Sequence, residues 1–527
     1  GRSLMRQRKI LNLMELNGWL KTDQLDRAMK EAINLCEPAR AFGAPHFVDF
    51  VRQNRDVSKS VKSTLDLPLN NISQKILEAQ LSRLGAQRVT NGSVVVVDNQ
   101  TGNVIVMVGS RDYFDLKSGQ VNGALAPRSA GSALKPFTYV IALEKGMTPA
   151  TVLADVPTMF STATGIFSPV NYDRRFRGPV TLRQSLANSL NVPAVRVLDL
   201  SGGALVLQQR LRLMELSTLN EDSSYYGLGL TIGNAETKLL ELTNAYATLA
   251  RLGEYRPVRL LETDPVGFSR VFKRGPAWLI ADILSDDNAR ASAFGWQSAL
   301  SFPFPVACKT GTSSDFRDNW AFGYTPEFTV GVWVGNFDGA PMKEVTGVTG
   351  AAPVMKSIMM HLHHKFGTSW YKIPDEIERA KVDQYSGMRS SSGKMDYFLK
   401  GTMPEIEPID VRDSLGRVRL GPKFSNWWRS SMNHLRDHTS LTNANSESIN
   451  ILSPRPGTVI YLDPDLPSSS KYLPLRANVE NVVWQSDTLD CNRTGDGFIA
   501  RLKPGVHELR VDNGRSHLRT WIEVKQQ

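Results

Sequence analysis

Two pairs of β-branched and aromatic runs, separated by about two hundred residues, constrain the fold more than any other feature of the chain. The first pair covers residues 93–98 and 103–109, joined by Asn99-Gln100-Thr101-Gly102. The second covers residues 319–324 and 328–335, joined by Thr325-Pro326. Each reads as a β-hairpin, because valine-rich and aromatic runs are bounded by turn residues. Helical patterns occupy the stretches around 133–145, 181–189 and 235–251. Strands at both ends with helices between them predict one antiparallel sheet assembled from distant segments, an α+β core with a helical insertion.

With 527 residues the chain is too long for one core. Residues 1 to about 36 read as helical, with a helix start near Lys21 capped by Thr22 or Asp23. Residues 37–62 hold Pro38, Gly43 and Pro45 and read as a connection, so 1–62 form one region and 63–390 the mixed α/β domain. Residues 391–447, rich in serine, charge and scattered proline, read as a linker. From 448 to 527 short alternating runs lie between Pro/Gly turns, and Asp512-Asn513-Gly514 separates the last two. That tail is expected to be a small all-β sandwich.

Hydrophobic residues at 41% and charged residues at 22% exclude wholesale disorder. The net charge of +10 favours acidic partners in general, but the only basic cluster is Arg2, Arg6, Arg8 and Lys9. No aromatic-interleaved basic stripe supports nucleic-acid binding. Cys36, Cys308 and Cys491 are too few and too far apart for a disulfide framework or a zinc knuckle. No cofactor or metal is expected.

Three short motifs carry chemistry. Gly131-Ser132-Ala133-Leu134-Lys135-Pro136 opens an apolar helix, and the i to i+3 spacing sets the Ser132 hydroxyl and the Lys135 amine on one side. A serine needs a base to become a nucleophile, and a lysine made neutral by burial and a nearby cation can serve. Asn188-Ser189-Leu190-Asn191 places Ser189 and Asn191 two apart, so one turn can aim both at a cleft. Val306-Ala307-Cys308-Lys309-Thr310-Gly311-Thr312 reads as a strand with Thr310 and Thr312 on one face. Gly311 between them is expected to let a ligand backbone approach. Each motif alone has a bland alternative, a helix cap, a helix end or a polar strand edge. The three in this order do not.

Ser-x-x-Lys, Ser-x-Asn and Lys-Thr-Gly in sequence are the signature of penicillin-binding proteins and serine β-lactamases. The chain resembles the bifunctional class A penicillin-binding proteins in residues 128–137, 309–313, 318–324 and 331–336. The tail, with Ser453-Pro454-Arg455-Pro456-Gly457, resembles the C-terminal module of the 1C type. Class A members also carry an N-terminal glycosyltransferase domain with an acidic motif. That motif is not found here, and residues 1–50, through Ala44-Pro45-His46-Phe47-Val48, look like the end of that domain.

The resemblance implies a peptidoglycan D,D-transpeptidase that penicillin acylates. Ser132 would be the nucleophile, Lys135 the base and Ser189 the proton relay. Asn191 would hold the donor peptide and orient Lys135. Lys309 would lower the Lys135 pKa and, with Thr310 and Thr312, hold the substrate carboxylate. Backbone N–H groups of Ser132 and Thr312 would form the oxyanion hole. It further implies stem peptides as substrates, β-lactams as inhibitors, and a cell-wall protein as a possible partner of the tail. The implied location is the periplasmic side of the bacterial inner membrane, anchored by a region N-terminal to this chain.

Two alternatives share the site: hydrolysis as a D,D-carboxypeptidase or β-lactamase, and a binding-only sensor or scaffold. No Glu-x-x-Leu-Asn stretch stands between the second and third motifs, which disfavours a β-lactamase. His361, His363 and His364 are assigned to packing or surface, Cys308 to a buried thiol, and residues 227–233 to no dinucleotide site.

Overall fold

The computed structural model describes residues 2–31, 42–55, 60–162, 165–442, 449, 451–454, 456–462, 471–477, 482–494, 497–514 and 516–526. Cys36 and parts of the 37–62 connection lie outside them. The chain divides into two units, Gly1–Pro45 and His46–Gln527. In the first, helices Arg2–Leu16 and Thr22–Lys30 pack on each other. The cap of the second helix is Lys21, one residue before the expected Thr22 or Asp23. Its backbone N–H donates to Gln24 Oε1 at 3.0 Å, so Thr22 is free to take helical geometry.

The second unit is built on five strands: β1 (Asn91–Asp98), β2 (Val104–Val108), β3 (Ala307–Thr312), β4 (Asp318–Tyr324) and β5 (Phe328–Gly335). They form one antiparallel sheet in the order β3-β4-β5-β1-β2. The two hairpins join along β1 and β5, with Val94 opposite Val332 and Val96 opposite Val330. This arrangement leaves β3, the Lys-Thr-Gly strand, at an edge of the sheet.

Both faces of the sheet are covered, which is why its strands are apolar throughout. Helices Leu67–Arg83 and Ala352–Phe366 lay Leu77, Leu81, Met355 and Ile358 on one face, against Val94, Val96 and Val332. Helix Leu239–Ala250 covers the other. A Cβ at Gly331 would stand 2.0 Å from Thr243 Oγ1, so helix and strand touch backbone to side chain there. The Tyr246 ring stacks on Phe322, with centroids 4.3 Å apart and planes 3° from parallel, and meets Phe137 edge-on at 5.4 Å. Its hydroxyl donates to the Ala133 carbonyl at 2.6 Å. One side chain therefore ties sheet, covering helix and the Ser132 turn together.

The described part of the expected linker, residues 391–442, is packed into the domain. Lys394–Leu399 pairs with Ile377–Val382, and Val418–Leu420 pairs with Thr439–Leu441. Val418, Leu420, Phe424, Trp427 and Leu435 are buried with Ala154 and Val156. Trp427 Nε1 donates to the Phe176 carbonyl at 2.8 Å, and a Cβ on Gly178 would lie 2.3 Å from its ring. The segment clamps the hairpin of Val152–Asp155 and Gly178–Thr181. Its buried apolar residues are spread over a three-residue strand, a 3₁₀ turn, a five-residue helix and a loop, so they leave no periodic signal among the surrounding polar residues.

The tail forms two four-stranded sheets that share a core containing Leu475, Trp484, Leu509, Val511 and Ile522. The last hairpin pairs Gly505–Asp512 with His517–Gln526, and Thr458–Leu462 adds to it in parallel.

Tyr246→Phe is expected to lower stability to urea by ~1–2 kcal/mol, by stranding the Ala133 carbonyl. Tyr246→Ala, which also empties the ring's place in the core, is expected to cost ~3–5 kcal/mol. Urea melts of the two variants check the order.

Candidate active site

Three glycines from distant segments set the geometry. Ser132 lies not on the helix proper but on a 3₁₀ turn, Gly131–Leu134, that feeds helix Lys135–Glu144. Gly131 takes φ +52°, and a Cβ there would meet the Thr312 carbonyl oxygen at 2.6 Å. A Cβ on Gly233 would stand 2.1 Å from the Gly131 nitrogen. A Cβ on Gly311 would stand 2.6 Å from the Ala130 oxygen and 3.2 Å from Ala133 Cβ. The Ser132 turn is thus pressed backbone to backbone on β3. At Gly311 the backbone approach is to the Ser132 turn, for which the missing side chain makes room. Trp320 Nε1 donating to the Ser129 carbonyl at 2.7 Å holds the approach to the turn.

A cleft of about 840 Å³ opens beside the turn and is lined by Ser132, Ser189, Asn191, Thr310 and Thr312. Asn191 begins the helix Asn191–Leu200 and follows helix Leu182–Ala187 by a short turn. Ser189 in that turn has φ +56°, a left-handed backbone that costs a non-glycine residue ~1–2 kcal/mol. The cost is met by a position between two lysines. Lys309 Nζ donates to Ser189 Oγ at 2.8 Å and to the Thr310 carbonyl at 2.6 Å. Lys135 Nζ donates to the Ser189 carbonyl and to Asn191 Oδ1 at 2.6 Å, and lies 3.3 Å from Ser189 Oγ.

That arrangement accommodates a neutral amine. A neutral amine has two N–H groups and one lone pair. With the two hydrogens given to carbonyl oxygens, the lone pair is left for a hydroxyl. The electrostatics favour the neutral form: Lys135 is fully buried and its pKa is driven well below that of a free lysine, first by burial and then by the charge of Lys309. Asp155 opposes the shift. Burial brings Lys309 itself down to about 7. The sequence motifs thus converge: Ser132, Lys135, Ser189, Asn191, Lys309, Thr310 and Thr312 surround one cleft or its wall. Thr312 Oγ1 also accepts the Gly347 N–H at 3.1 Å, which fixes the loop beyond β3.

The motifs did not point to Asp155 and Asn171. Asn171 Oδ1 accepts the Asn191 N–H at 2.9 Å, and Asn171 Nδ2 donates to the fully buried Asp155 carboxylate at 2.8 and 2.9 Å. Neither residue stands in a recognisable motif; the only sequence signal is an acid closing an apolar run at Val152-Leu153-Ala154-Asp155. Cys308 is buried, its thiol pushed up to about 11 by burial. His363 is buried between Thr325 Oγ1 at 3.1 Å and the Gly367 carbonyl at 2.5 Å.

A serine turn pinned on an edge strand, with a buried lysine behind it, is the arrangement of an active-site serine acyl-transfer fold. A family profile described as "Penicillin binding protein transpeptidase domain" matches residues 92–360, and the chain belongs to that family. Penicillin-binding protein 1C of Escherichia coli is 28% identical over 532 residues, 98% of this chain and 66% of that protein. Penicillin-binding protein 1A of Aquifex aeolicus is 32% identical over 62% of this chain and 46% of its own length. The chain therefore spans between about half and two thirds of these relatives, and the similarity to the 1C type extends through the β tail. The fold is shared with the crystal structure of penicillin-binding protein 1A from Haemophilus influenzae, with TM-score 0.61, 19% identity, and coverage of 76% of this chain and 82% of that one.

Burying lysine cations costs stability, and the sign can be tested. With Lys309 lowered to about 7 in the folded state, the unfolded chain binds more protons between pH 7 and the ordinary lysine range. Stability of the folded chain is expected to rise with pH from about 7 towards 10. The rise should be smaller in Lys309→Met, as read from urea midpoints at successive pH values.

Proposed function

We propose that the chain is a peptidoglycan D,D-transpeptidase working through a covalent acyl-enzyme on Ser132. The observation that carries this reading is the Lys135 amine, buried and bonded to Ser189 and Asn191 beside the turn that carries Ser132. Lys135 takes the Ser132 proton as Oγ bonds to the carbonyl carbon of the penultimate D-Ala. The backbone N–H groups of Ser132 and Thr312 receive the oxyanion. The C–N bond to the terminal D-Ala then breaks, and its nitrogen takes a proton through Ser189, which lies between the two lysines. Lys309, Thr310 and Thr312 hold the terminal carboxylate. An amine from a neighbouring stem peptide attacks the ester, forms the cross-link and returns the proton to Ser132.

A β-lactam is attacked in the same way, but its leaving nitrogen stays tethered after the ring opens. Its acyl-enzyme persists unless a base activates water. Among the described residues no glutamate lines the cleft; its carboxylates are Asp173, paired with Arg177 at 2.8 Å, and Asp315. Glu241 is held by Ser217 and Lys238 instead. The structural neighbour PonA1 from Mycobacterium tuberculosis has been crystallised in complex with penicillin V. In this reading the chain works on the periplasmic side of the inner membrane, and the β tail recruits a cell-wall protein. No described helix is long and apolar enough to cross a membrane.

Intact-mass measurement after incubation with penicillin is expected to show one adduct that maps to the Ser132 peptide, persists for many minutes and is absent in Ser132→Ala. Rapid turnover of the drug, or an adduct elsewhere, overturns the acyl-enzyme reading. With a donor pentapeptide and an acceptor amine, wild-type protein should form cross-linked dimer. Release of D-Ala without dimer would assign a carboxypeptidase.

A further inference from the structure

Behind the wall of the cleft lies a layer of polar groups that none of the three motifs contains. Asp155 ends the strand Val152–Asp155 and is fully buried. Its two oxygens accept Asn171 Nδ2 at 2.8 and 2.9 Å, and Oδ2 also accepts the Arg177 N–H at 3.0 Å. Asn171 has no freedom to turn. Its Nδ2 also donates to the Arg175 carbonyl at 2.8 Å, so its Oδ1 must face the other way. There it accepts the N–H of Asn191 at 2.9 Å and of Val192 at 3.4 Å, the first two residues of their helix. From the neighbouring Val170, the carbonyl accepts Asn191 Nδ2 at 2.8 Å. That bond leaves Asn191 Oδ1 for Lys135 Nζ, at 2.6 Å. An Asn191 side chain turned over would face the lysine with its NH₂, so its orientation decides whether Lys135 has its acceptor.

We propose that Asp155 and Asn171 are positioning residues for acyl transfer, Asn171 fixing Asn191 and through it Lys135, and Asp155 both orienting Asn171 and supplying the buried negative charge that favours the Lys135 cation. The inference rests on the reading of Lys135 as the base. A carboxylate bonded to an amide and a backbone N–H rather than to a cationic side chain is a costly thing to bury. The groups that face it are Lys135 and Tyr139 from one helix, Arg196 from another, and Arg177 and Asp173 from the adjoining loop. Burial pushes its carboxyl up to about 6, so it is ionised at neutral pH and holds the Lys135 pKa above the value that burial and Lys309 alone would give. The two roles are separable. One acts through hydrogen bonds and the other through charge.

Asp155→Asn keeps the shape: its amide oxygen in the place of Oδ2 retains the bonds from Asn171 Nδ2 and the Arg177 N–H, while its NH₂ in the place of Oδ1 gives up the second bond from Asn171 Nδ2 together with the charge. Asn171→Ala removes the acceptor that holds the Asn191 N–H. The measurement is the second-order rate of acylation by a labelled penicillin across pH 5–9, with urea melts to confirm that each variant is folded. In Asp155→Asn the acidic limb should move to lower pH by about half a unit or more, with the plateau within about threefold of wild type. In Asn171→Ala the plateau should fall about tenfold or more, because a displaced base loses alignment, while the limb stays where it was. An unmoved limb in Asp155→Asn overturns the charge role, and a wild-type plateau in Asn171→Ala overturns the positioning role. Asp155→Asn carries the test alone if Asn171→Ala cannot be purified folded. A wild-type protein that shows no adduct, or no acidic limb, would instead remove the reading of Lys135 on which the inference rests.

Discussion

The backbone contact between the Ser132 turn and β3 is the constraint on which the rest depends. The proposed nucleophile and oxyanion donors must share a fixed frame, and Ser132 and Thr312 sit on segments about 180 residues apart. Side chains alone would hold such a frame loosely. Gly131, Gly233 and Gly311 instead let three backbones approach until any Cβ would collide, and Tyr246 and Trp320 hold the Ala133 and Ser129 carbonyls on either side of Ser132. The sheet is rigid because both its faces are buried, and that rigidity passes to the turn through these contacts.

Against that frame the two buried lysines are the site's principal instability and, in the proposed reaction, its chemistry. Burying them without a carboxylate in direct contact depresses both pKa values, and their mutual repulsion depresses that of Lys135 further. The left-handed backbone at Ser189 belongs to the same arrangement, since it presents carbonyl and hydroxyl of one residue to two amines. Active sites commonly retain such costs, because an optimally stable packing would leave no reactive group.

Much of this was legible in the sequence, for physical reasons. The valine runs of β1, β2 and β5 allowed little but strand, and the three motifs have spacings that the chemistry requires. Other features left no local trace. The packing of Gly311 on the Ser132 turn left no local trace because the turn lies far away in sequence, and a strand's pleat does not reveal which face a distant segment will take. Asp155 and Asn171 are ordinary residues until the fold brings them behind Asn191. The 391–447 stretch resembled a linker because burial there is carried by isolated side chains such as Phe424 and Trp427, a pattern no periodicity expresses.

The Trp427 clamp has a consequence for how such a chain can be divided by experiment or by evolution. The family match ends at residue 360, yet the hairpin that carries Asp155 is closed by Trp427 and its neighbours. A fragment cut at the end of the recognised region would leave Ala154 and Val156 uncovered and the wall behind Asn191 without its brace. The smallest unit that keeps this packing therefore extends to about residue 441, where the Thr439–Leu441 strand closes.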